Sequence, residues 1–481
     1  MEELRSPGNC RPLAADWPCG RFRESTSLRC AAVRVIDLGH TAFLDGRRNL
    51  ADPVHSGSFC ILPWIHMNLN PDGRQTLCCV SHHQILDEKG RSLNAQTHSL
   101  AEIWNSEGMK DVRRRMAAGE QLPHCETCFN DEAFGRPSLR NRSNDDWLSR
   151  PEGPTLARII ETSVDGSTPL DPMYLDLRVG NLCNLKCTAC KPLYSSQIER
   201  DAVHSKWIVD APYVRLGNRF GTGGEWFDAD RLLDEMTNIS GNLVKIQLAG
   251  GEPTINSAQM AFLRNLRDAG RAAEIDLVVV TNLSNVNPSV YDLFAQFKSL
   301  VVYVSVDGTR EMYEYVRYPG KWPSLVRNIA RLRQARPGVQ IHVDFVLQAV
   351  NALNVVDVFE WADAEDIPIA ILIGRGLDHY NDFRIMPLAV RHAFRARFAD
   401  YFARKGNRIG ASVRQHVEAT LAEMDAADFP DELRRERIKD FMHFVNDMDR
   451  SRGLSFRAIA PDVYDAVVAY AGGWDSTTRY A

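Results

Sequence analysis

The distribution of cysteine constrains this chain more than any other feature of its sequence. All eleven cysteines of the 481-residue chain lie at or before Cys190, and the long remainder must build its core without a thiol. Cysteines that serve only as small apolar core residues would be spread along the whole chain. The opening residues show no hydrophobic signal core, so a disulfide framework of a secreted protein is not indicated. The clustering predicts metal or redox chemistry instead.

Composition excludes several classes of protein. Hydrophobic residues make up 44% and charged residues 25% of the chain, as in soluble globular proteins. The formal net charge of −5 provides no positive field for nucleic acid or for an anionic membrane. No apolar run approaches the roughly 18 residues of a membrane span. We therefore expect a cytoplasmic protein with neither nucleic-acid nor membrane partners.

Cysteine grouping and local composition divide the chain into five segments. The first is a leader that holds Cys10, Cys19 and Cys30, and we expect it to be poorly ordered and assign it no role. A second cysteine-rich module, a polar linker, an α/β domain and a helical lobe follow it. The boundaries of the five segments are 1–50, 51–135, 136–171, 172–376 and 377–481.

Six apolar runs in the α/β domain alternate with amphipathic helical patterns, from Tyr174–Val179 to Ile369–Ile373. This alternation predicts a parallel sheet covered by helices. Because side chains alternate between the two faces of a strand, one face of the sheet is polar. A curved or closed barrel with a polar lumen accommodates such a face better than an open sheet buried on both sides. The lumen residues expected on this basis include Asp176, Arg178, Lys245, His342, Asp344 and Gln348.

The motif GNLCNLKCTAC follows the first of these runs and contains Cys183, Cys187 and Cys190 in a C-x3-C-x2-C spacing. Three thiolates this close together can hold one cubane iron–sulfur cluster and leave its fourth iron open for a substrate or cofactor. A zinc knuckle completed by His204 is the alternative that the spacing leaves open.

A second motif, LAGGEPTIN, directly follows the second run and contains Gly250, Gly251, Glu252 and Pro253. Glycine allows the backbone to approach a ligand closely, and an exposed glutamate can accept hydrogen bonds from an ammonium group. Both motifs lie at the carboxyl end of a strand, where parallel α/β folds bind their ligands. The two motifs are therefore expected to form one site.

With these two motifs, residues 172–376 resemble the radical S-adenosylmethionine (SAM) superfamily. The resemblance implies a partial (β/α)6 barrel with a [4Fe-4S] cluster on Cys183, Cys187 and Cys190. It also implies that an electron from a donor such as flavodoxin or ferredoxin cleaves SAM to methionine and a 5′-deoxyadenosyl radical, which takes hydrogen from the substrate. Ala189 departs from the family, because many members have an aromatic residue there. The implied SAM-binding residues are Gly250, Gly251, Glu252, Pro253, Asn282 and Ser305.

The segment FCILPWIHMNLNPDGRQTLCC and the later SLAEIWNSEGMKDVRRRMAAGEQLPHCETC resemble the auxiliary-cluster modules called SPASM and twitch domains. Those modules usually follow the barrel, whereas this one precedes it. Cys79 is expected to lie behind the ligands or to be an alternative ligand, and His82 and His83 are expected to be exposed loop residues. A structural zinc site with four thiolates is the alternative. The resemblance implies one auxiliary [4Fe-4S] cluster, with the ligands Cys60, Cys78, Cys125 and Cys128.

Four thiolate ligands leave an auxiliary cluster no open iron, so we expect it to accept an electron from a substrate radical. The expected enzyme is thus of the oxidoreductase type, and it dehydrogenates or cross-links a polar small metabolite such as a sugar, a cyclitol or an amino-acid derivative. By resemblance to the sulfatase-maturing branch, Asp307 in VSVDG is the expected base, with a loop cap as its alternative role. The expected substrate-binding residues are Arg178, His342, Asp344, Gln348 and Arg375.

Two alternatives to this function remain. A ribosomally synthesised peptide is the alternative substrate, although residues 1–60 show no winged leader-binding pattern of the kind that modifiers of peptides often carry. A non-catalytic iron–sulfur scaffold or sensor is the alternative to an enzyme. A scaffold has no need of an open three-thiolate site, so the enzyme is favoured.

Overall fold

The computed structural model describes residues 57–153, 159, 164–169, 171–208, 230–284, 287–373, 377–406, 411–426 and 429–481. These residues belong to one compact unit that runs from Leu50 to Ala481. The leader 1–50, with its three cysteines, and the expected substrate residue Arg375 lie outside the described residues. Within the described residues, no helix is both long enough and apolar enough to span a membrane.

Eight strands form one sheet. They are β1 (His66–Leu69), β2 (Gln75–Thr76), β3 (Tyr174–Leu177), β4 (Lys245–Leu248), β5 (Asp276–Thr281), β6 (Ser299–Ser305), β7 (Gln340–Leu347) and β8 (Ile369–Ile373). Their order across the sheet is β2-β1-β3-β4-β5-β6-β7-β8. Strands β3 to β8 are each parallel to their neighbours and correspond to the six predicted runs. The predicted α/β fold with a parallel sheet is confirmed.

The outer face of the sheet forms the core of the barrel. Leu177, Leu248, Val279, Val302 and Ile341 are register partners across β3 to β7, and none of them is more than 6% exposed. Burying a full aliphatic side chain stabilises a fold by roughly 1.5–3 kcal/mol. This apolar row against the covering helices therefore holds the strands in register and leaves the polar face to the lumen.

Helices cover the sheet and build the C-terminal lobe. They are Leu62–Ile65, Leu100–Trp104, Glu107–Ala117, Glu126–Ala133, Leu139–Ser149, Ser196–Glu199, Asp230–Asn238, Ser257–Asp268, Pro288–Phe294, Arg310–Val316, Trp322–Ala335, Val355–Ala364, Leu388–Lys405, Ala411–Ala426, Asp431–Arg452, Phe456–Ile459 and Pro461–Ala471. Short 3₁₀ helices are Pro123–Cys125, Pro192–Tyr194, His204–Ile208, Ile239–Asn242, Pro253–Ile255, Ala272–Glu274 and Phe383–Ile385.

The helix Ser257–Asp268 shows how a covering helix is fixed to the site. Asn256 caps it, because its side chain accepts the N–H of Gln259 at 3.0 Å. The buried Gln259 side chain then donates to the carbonyl oxygens of Leu177 (2.9 Å) and Ala249 (3.0 Å). The helix thereby ties together the carboxyl ends of β3 and β4, from which the two motifs emerge.

The cysteine-rich module 51–135 is joined to the barrel through the sheet. β1 pairs in parallel with β3, with His66 opposite Tyr174 and Asn68 opposite Asp176. β2 pairs antiparallel with β1 and ends the sheet. The module thus extends the barrel by two strands, which no feature of the sequence predicted.

Part of the predicted linker 136–171 forms an ordered helix, Leu139–Ser149, which corrects that prediction. Trp147 is 1% exposed and stacks on Tyr174 at 6.2 Å between ring centroids. Asp146 lies 3.5 Å from the Lys245 ammonium group. The helix therefore packs against the polar face of the sheet. Its charged residues face charged residues of the strands, which is why a segment so poor in apolar residues is nevertheless ordered.

Candidate active site

The three-cysteine loop begins just after β3 and is held by its neighbours through backbone hydrogen bonds. The Cys183 N–H donates to the Ser196 hydroxyl at 3.2 Å. The loop N–H groups of Lys186 and Thr188 donate to the carbonyl oxygens of Tyr318 and Val316, at 2.6 and 2.9 Å. All three loop cysteines are free thiols; Cys183 is buried and the other two are half-buried. Hydrogen bonds from neighbouring segments therefore fix the shape of this loop.

The GGEP motif packs directly on this loop. A Cβ atom at Gly251 would collide with the carbonyl oxygen of Leu182, so only glycine fits there. Gly250 has a φ of +110° and lies against the backbone of Arg178. Glu252 donates its N–H to the Leu182 carbonyl at 2.8 Å. The structure thus brings the two predicted motifs together, and the glycines are required by this contact.

Glu252 is almost fully buried, and Pro253 after it begins a short 3₁₀ helix. Its carboxylate accepts hydrogen bonds from the Thr254 N–H (3.1 Å) and hydroxyl (2.6 Å). The Thr281 hydroxyl (2.6 Å) and the Asn282 N–H (2.8 Å) also donate to it. Burial raises the pKa of Glu252, and these hydrogen bonds act against that rise. Glu252 therefore joins the ends of β4 and β5; its contact with a SAM ammonium group stays a prediction.

Asn282 extends this connection to the cluster loop. Its side-chain N–H₂ donates to Asn184 Oδ1 at 2.9 Å, and its Oδ1 accepts from the Ser284 N–H and hydroxyl at 2.9 and 2.7 Å. Asn184 lies between Cys183 and Cys187 in the sequence. The predicted SAM-binding residue is thus placed beside the cluster loop, whereas Ser305 lies in the lumen, as described below.

Asp307, the expected base, is buried at the end of β6 with both carboxylate oxygens occupied. Oδ1 accepts the Val346 N–H at 2.8 Å, and Oδ2 lies 2.6 Å from Arg317 Nη2. Burial raises the pKa of Asp307, against the opposing effect of Arg317. Arg317 in turn points Nη1 toward the Cys187 sulfur, at 3.8 Å. These contacts favour a positioning role, in which Asp307 orients Arg317 toward a cluster ligand.

Gln348, an expected substrate residue, is fully buried and supports the cluster loop. Its Oε1 accepts hydrogen bonds from the Thr188 hydroxyl at 2.7 Å and from the Asn381 side chain at 2.9 Å. Its backbone N–H donates to Asn351 Oδ1 at 2.7 Å. The side chain is therefore committed to the protein, and the structure corrects the expectation that it faces the lumen.

We expect Gln348→Ala to lower the free energy of unfolding by about 1–3 kcal/mol, because Thr188 and Asn381 lose their buried acceptor. Gln340→Ala is the matched control, since Gln340 is exposed at the start of the same strand. Chemical denaturation of the two anaerobically purified variants measures the difference. Equal stabilities would contradict the structural role of Gln348.

On one half of the polar face, formed by β3 and β4, the polar side chains form hydrogen bonds with each other. Arg178 forms two hydrogen bonds with the buried Asp176 carboxylate, at 3.0 and 3.1 Å. Gln247 donates to the same carboxylate at 3.1 Å and accepts the Tyr174 hydroxyl at 3.0 Å. This network accounts for Asp176 as a paired core residue. It also occupies two of the N–H groups with which Arg178 was expected to bind substrate.

The other half of the polar face has no such partners. Tyr303, Ser305, His342 and Asp344 lie on β6 and β7 and form what we call the lumen quartet. Tyr303 is the register partner of His342, with ring centroids 5.0 Å apart, and Ser305 is that of Asp344. All four are half-buried, and none of their side chains forms a hydrogen bond with the part of the chain that the structure describes. Polar groups so placed are available to a ligand.

Electrostatics distinguish Asp344 within the quartet. Burial raises its pKa to about 7, and the nearby Asp307 adds to the rise while Arg317 and Arg142 oppose it. Burial also lowers the pKa of His342, so that its imidazole is neutral at pH 7. A half-buried carboxyl group that titrates near neutral pH can accept a proton and release it again.

The second cysteine group converges on one enclosed cavity. All four expected ligands are buried there, and Cys125 and Cys128 are presented at the end of a 3₁₀ helix and in the first turn of the helix Glu126–Ala133. Burial raises the pKa of each thiol, that of Cys125 to about 12. The residues that line the cavity are Cys60, Leu62, Leu77, Cys78, His124, Cys125, Cys128, Leu139 and Arg140.

Cys79 is not among the residues that line this cavity. It is half-buried and interacts electrostatically with Arg178 and Asp176 on the polar face of the sheet, and less strongly with the expected ligand Cys128. The prediction that Cys79 is not a primary ligand agrees with this position. His82 and His83 are exposed, as predicted.

Both donor sets fit iron–sulfur clusters. The expected ligands of each set are all cysteine thiols, with no carboxylate among them. Iron–sulfur clusters are held by thiolates. Among the described residues, no three His, Cys, Asp or Glu side chains converge closely enough for a single metal ion. His204, the possible fourth zinc ligand, instead faces Arg452, with Nδ1 3.1 Å from its Nη2.

Sequence reasoning missed three contributors to these sites. Arg317 approaches Cys187, Arg140 lines the auxiliary cavity, and the helix Leu139–Ser149 faces the lumen. The residues next to these two arginines in the sequence do not predict their positions, since many exposed arginines have similar neighbours. Only the spacing of Leu139, Ser143 and Trp147, four residues apart, hints at a helix with one buried face.

Comparisons with known proteins agree with the two cysteine groups. Residues 60–129 match the family model SPASM, an iron-sulfur cluster-binding domain, and residues 177–347 match that of the radical SAM superfamily. The curated proteins searched contain no match to this chain. The family matches confirm the predicted resemblance and the unusual order in which the auxiliary domain precedes the barrel.

Solved structures of low identity are also similar. One is native anSMEcpe with bound AdoMet, at 16% identity and a TM-score of 0.33, covering 48% of this chain and 60% of that one. Another is Streptococcus suis SuiB bound to S-adenosylmethionine, at 12% identity and a TM-score of 0.34, covering 58% of each chain. SuiB bound to precursor peptide SuiA matches at 12% identity and a TM-score of 0.34, covering 59% and 60%. The chain spans about three fifths of the length of these proteins.

Proposed function

Because the chain belongs to the radical SAM superfamily and carries a SPASM iron–sulfur domain ahead of its barrel, we propose that it oxidises a polar small metabolite in the barrel lumen. The observation that carries this proposal is the lumen quartet, whose half-buried polar side chains form no hydrogen bond with the described part of the chain. Hydroxyl and amine groups of a sugar, a cyclitol or an amino-acid derivative are the complements of these side chains.

Cys183, Cys187 and Cys190 would hold the [4Fe-4S] cluster that, with SAM, would supply a 5′-deoxyadenosyl radical to take a hydrogen atom, and Cys60, Cys78, Cys125 and Cys128 would hold an auxiliary cluster that would supply a one-electron acceptor. A base of this chain would take the remaining proton, so that the substrate would lose one hydrogen atom, one electron and one proton. The product is lighter than the substrate by two hydrogens. We assign the base to Asp344, because its carboxyl group forms no hydrogen bond or salt bridge with the described residues, while that of Asp307 is held by Arg317 and Val346.

The packing around β1 and β3 supports an electron route from the lumen to the auxiliary cavity. The centroid of the Tyr174 ring lies 4.4 Å from that of His66 and 6.2 Å from that of Trp147. His66 also contacts the backbone of Leu77, a residue that lines the auxiliary cavity. Tyr174 and His66 therefore connect the polar face of the sheet to the wall of that cavity.

The helix Leu139–Ser149 supports a small substrate over a large one. It lies across the polar face and is tied to it by Asp146 with Lys245 and by Arg150 with Asp276, the second pair at 3.0 Å. The helix thereby fills the part of the lumen next to Lys245 and Asp276. A ribosomally synthesised peptide is the competing substrate, and it is an outcome of the experiment below.

The proposal is tested with an extract of cells grown in D₂O and separated by ultrafiltration into metabolites and peptides. We expect the reduced, reconstituted enzyme to incorporate deuterium from the metabolite fraction into 5′-deoxyadenosine, and mass spectrometry detects it. A metabolite lighter by two hydrogens should accumulate in parallel. Deuterium transfer from the peptide fraction alone would show that the substrate is a peptide and not a metabolite. A product of unchanged mass would contradict the proposal that the reaction is an oxidation.

A further inference from the structure

Arg452 is the last residue of the long helix Asp431–Arg452 in the C-terminal lobe, yet it reaches the cluster loop. It is only 9% exposed. Its guanidinium group lies over the ring of Tyr318 at 5.3 Å, and the Tyr318 carbonyl accepts the Lys186 N–H at 2.6 Å. Lys186 immediately precedes the cluster ligand Cys187. The helical lobe thus presents a buried cation directly behind the loop that carries the three cysteines.

This buried cation lacks an anionic partner within the described residues. Nη2 of Arg452 meets Nδ1 of His204 at 3.1 Å, while Nε and Nη1 have no hydrogen-bond partner. Burial lowers the pKa of His204 to about 3, so this imidazole is neutral and can accept the hydrogen bond. Two carboxylates lie near enough to act on this charge, but neither forms a salt bridge with Arg452 in the described structure. Asp201 is paired with Lys186 Nζ at 2.8 Å, and Asp449 accepts the Phe456 N–H at 2.8 Å. A buried guanidinium without a direct salt bridge is costly, which indicates that a further negative group belongs beside it.

The negative group expected beside Arg452 is the iron–sulfur cluster with its cysteine ligands. Arg317, close to Arg452 through Tyr318, has Nη1 3.8 Å from the Cys187 sulfur, and its Nε also has no partner in the described structure. Arg317 also pairs through Nη2 with the buried Asp307 carboxylate at 2.6 Å, so Arg452 is the one of these two cations that has no salt bridge in the described structure. Thiolates and sulfides give a cluster with three cysteine ligands a net negative charge, which increases on reduction.

We propose that Arg452 and Arg317 form a guanidinium pair that raises the reduction potential of the [4Fe-4S] cluster held by Cys183, Cys187 and Cys190. A positive charge in a buried environment stabilises the more negative, reduced form of the cluster. The pair thereby eases the one-electron reduction by flavodoxin, ferredoxin or dithionite on which SAM cleavage depends. This inference concerns the cluster alone and does not depend on the substrate proposed above.

The test compares Arg452→Gln, Arg452→Lys and Arg450→Gln with the wild type, each as the anaerobically reconstituted full chain. Arg450 is exposed on the same helical turn and forms no salt bridge in the described structure, which makes it a matched control. Iron content is measured first, followed by a redox titration monitored by EPR. The signal that changes on addition of SAM identifies this cluster and separates it from the auxiliary one.

We expect Arg452→Gln to retain its iron and to shift the midpoint potential of the SAM-sensitive signal to a more negative value. Arg452→Lys should restore most of the wild-type potential, because it retains the charge, and Arg450→Gln should not shift it. An unchanged potential in Arg452→Gln with full iron would overturn the proposal. Loss of iron in both Arg452 variants would also overturn it, since Arg452 would then serve only to hold the loop in shape.

Discussion

Replacing Cys183, Cys187 and Cys190 together by Ala is expected to leave about half of the iron and to abolish the formation of 5′-deoxyadenosine. Two cubane clusters, on three and on four thiolates, give the wild type about eight irons. The triple variant retains only the buried auxiliary cavity with Cys60 and its three partner cysteines. Iron and sulfide analysis of reconstituted protein, with chromatography of the nucleoside product, measures both effects.

Cys79→Ala is the control for this experiment. Because Cys79 lies outside the auxiliary cavity, we expect this variant to hold as much iron as the wild type. Zinc rather than iron at the cavity would contradict the auxiliary cluster. Loss of four irons from Cys79→Ala would make Cys79 a ligand and would contradict its placement outside the auxiliary cavity.

Asp344→Asn is expected to uncouple the two halves of the proposed oxidation. Without the carboxylate, deprotonation of the substrate radical should slow by roughly 10²–10⁴-fold, whereas hydrogen abstraction continues. The variant should therefore form 5′-deoxyadenosine in large excess over oxidised product, and liquid chromatography with mass spectrometry measures the ratio. Asn fits the site, because Asp344 is half-buried and forms no hydrogen bond that the substitution would remove from the described structure.

The same ratio should depend on pH in the wild type. Burial and Asp307 raise the pKa of Asp344 to about 7, with Arg317 and Arg142 opposing the rise. Below that pH the carboxyl group is protonated and cannot accept a proton, so the yield of oxidised product per 5′-deoxyadenosine should increase from about pH 6 to about pH 8. Asp344→Asn should remove this increase.

Asp307→Asn separates the two candidate bases. Because Asp307 orients Arg317 beside Cys187, we expect this variant to lose 5′-deoxyadenosine and oxidised product in step. If instead Asp307→Asn accumulates excess 5′-deoxyadenosine and Asp344→Asn does not, the base is Asp307. The assignment to Asp344 would then be wrong.

Local patterns were sufficient to predict the barrel. The six parallel strands follow from apolar runs of alternating parity, since burial of one strand face is a property of a few consecutive residues. The spacing of Cys183, Cys187 and Cys190 likewise predicted one cluster site, because ligands on one loop need no distant residue to be recognised, whereas the auxiliary site was predicted from the family resemblance. The same reasoning placed His342 and Asp344 on the polar face, where the structure has them.

The tertiary structure decided which of the polar residues are free. Asp176 forms hydrogen bonds with Arg178, Gln348 accepts one from Thr188, and Asp307 forms a salt bridge with Arg317. Asp344 has no such partner among the described residues.

The sequence does not predict that Arg452 lies beside the cluster loop, because the two are more than 250 residues apart. Their proximity depends on how a C-terminal helix packs beside that loop. The addition of β1 to the sheet has the same origin, since pairing with β3 is decided by backbone hydrogen bonds between strands far apart in the chain. Sequence by itself therefore determined the fold class and the two cysteine groups that are expected to hold clusters. The choice of the proposed base, the charges around the cluster loop and the wall of the lumen were set by long-range packing.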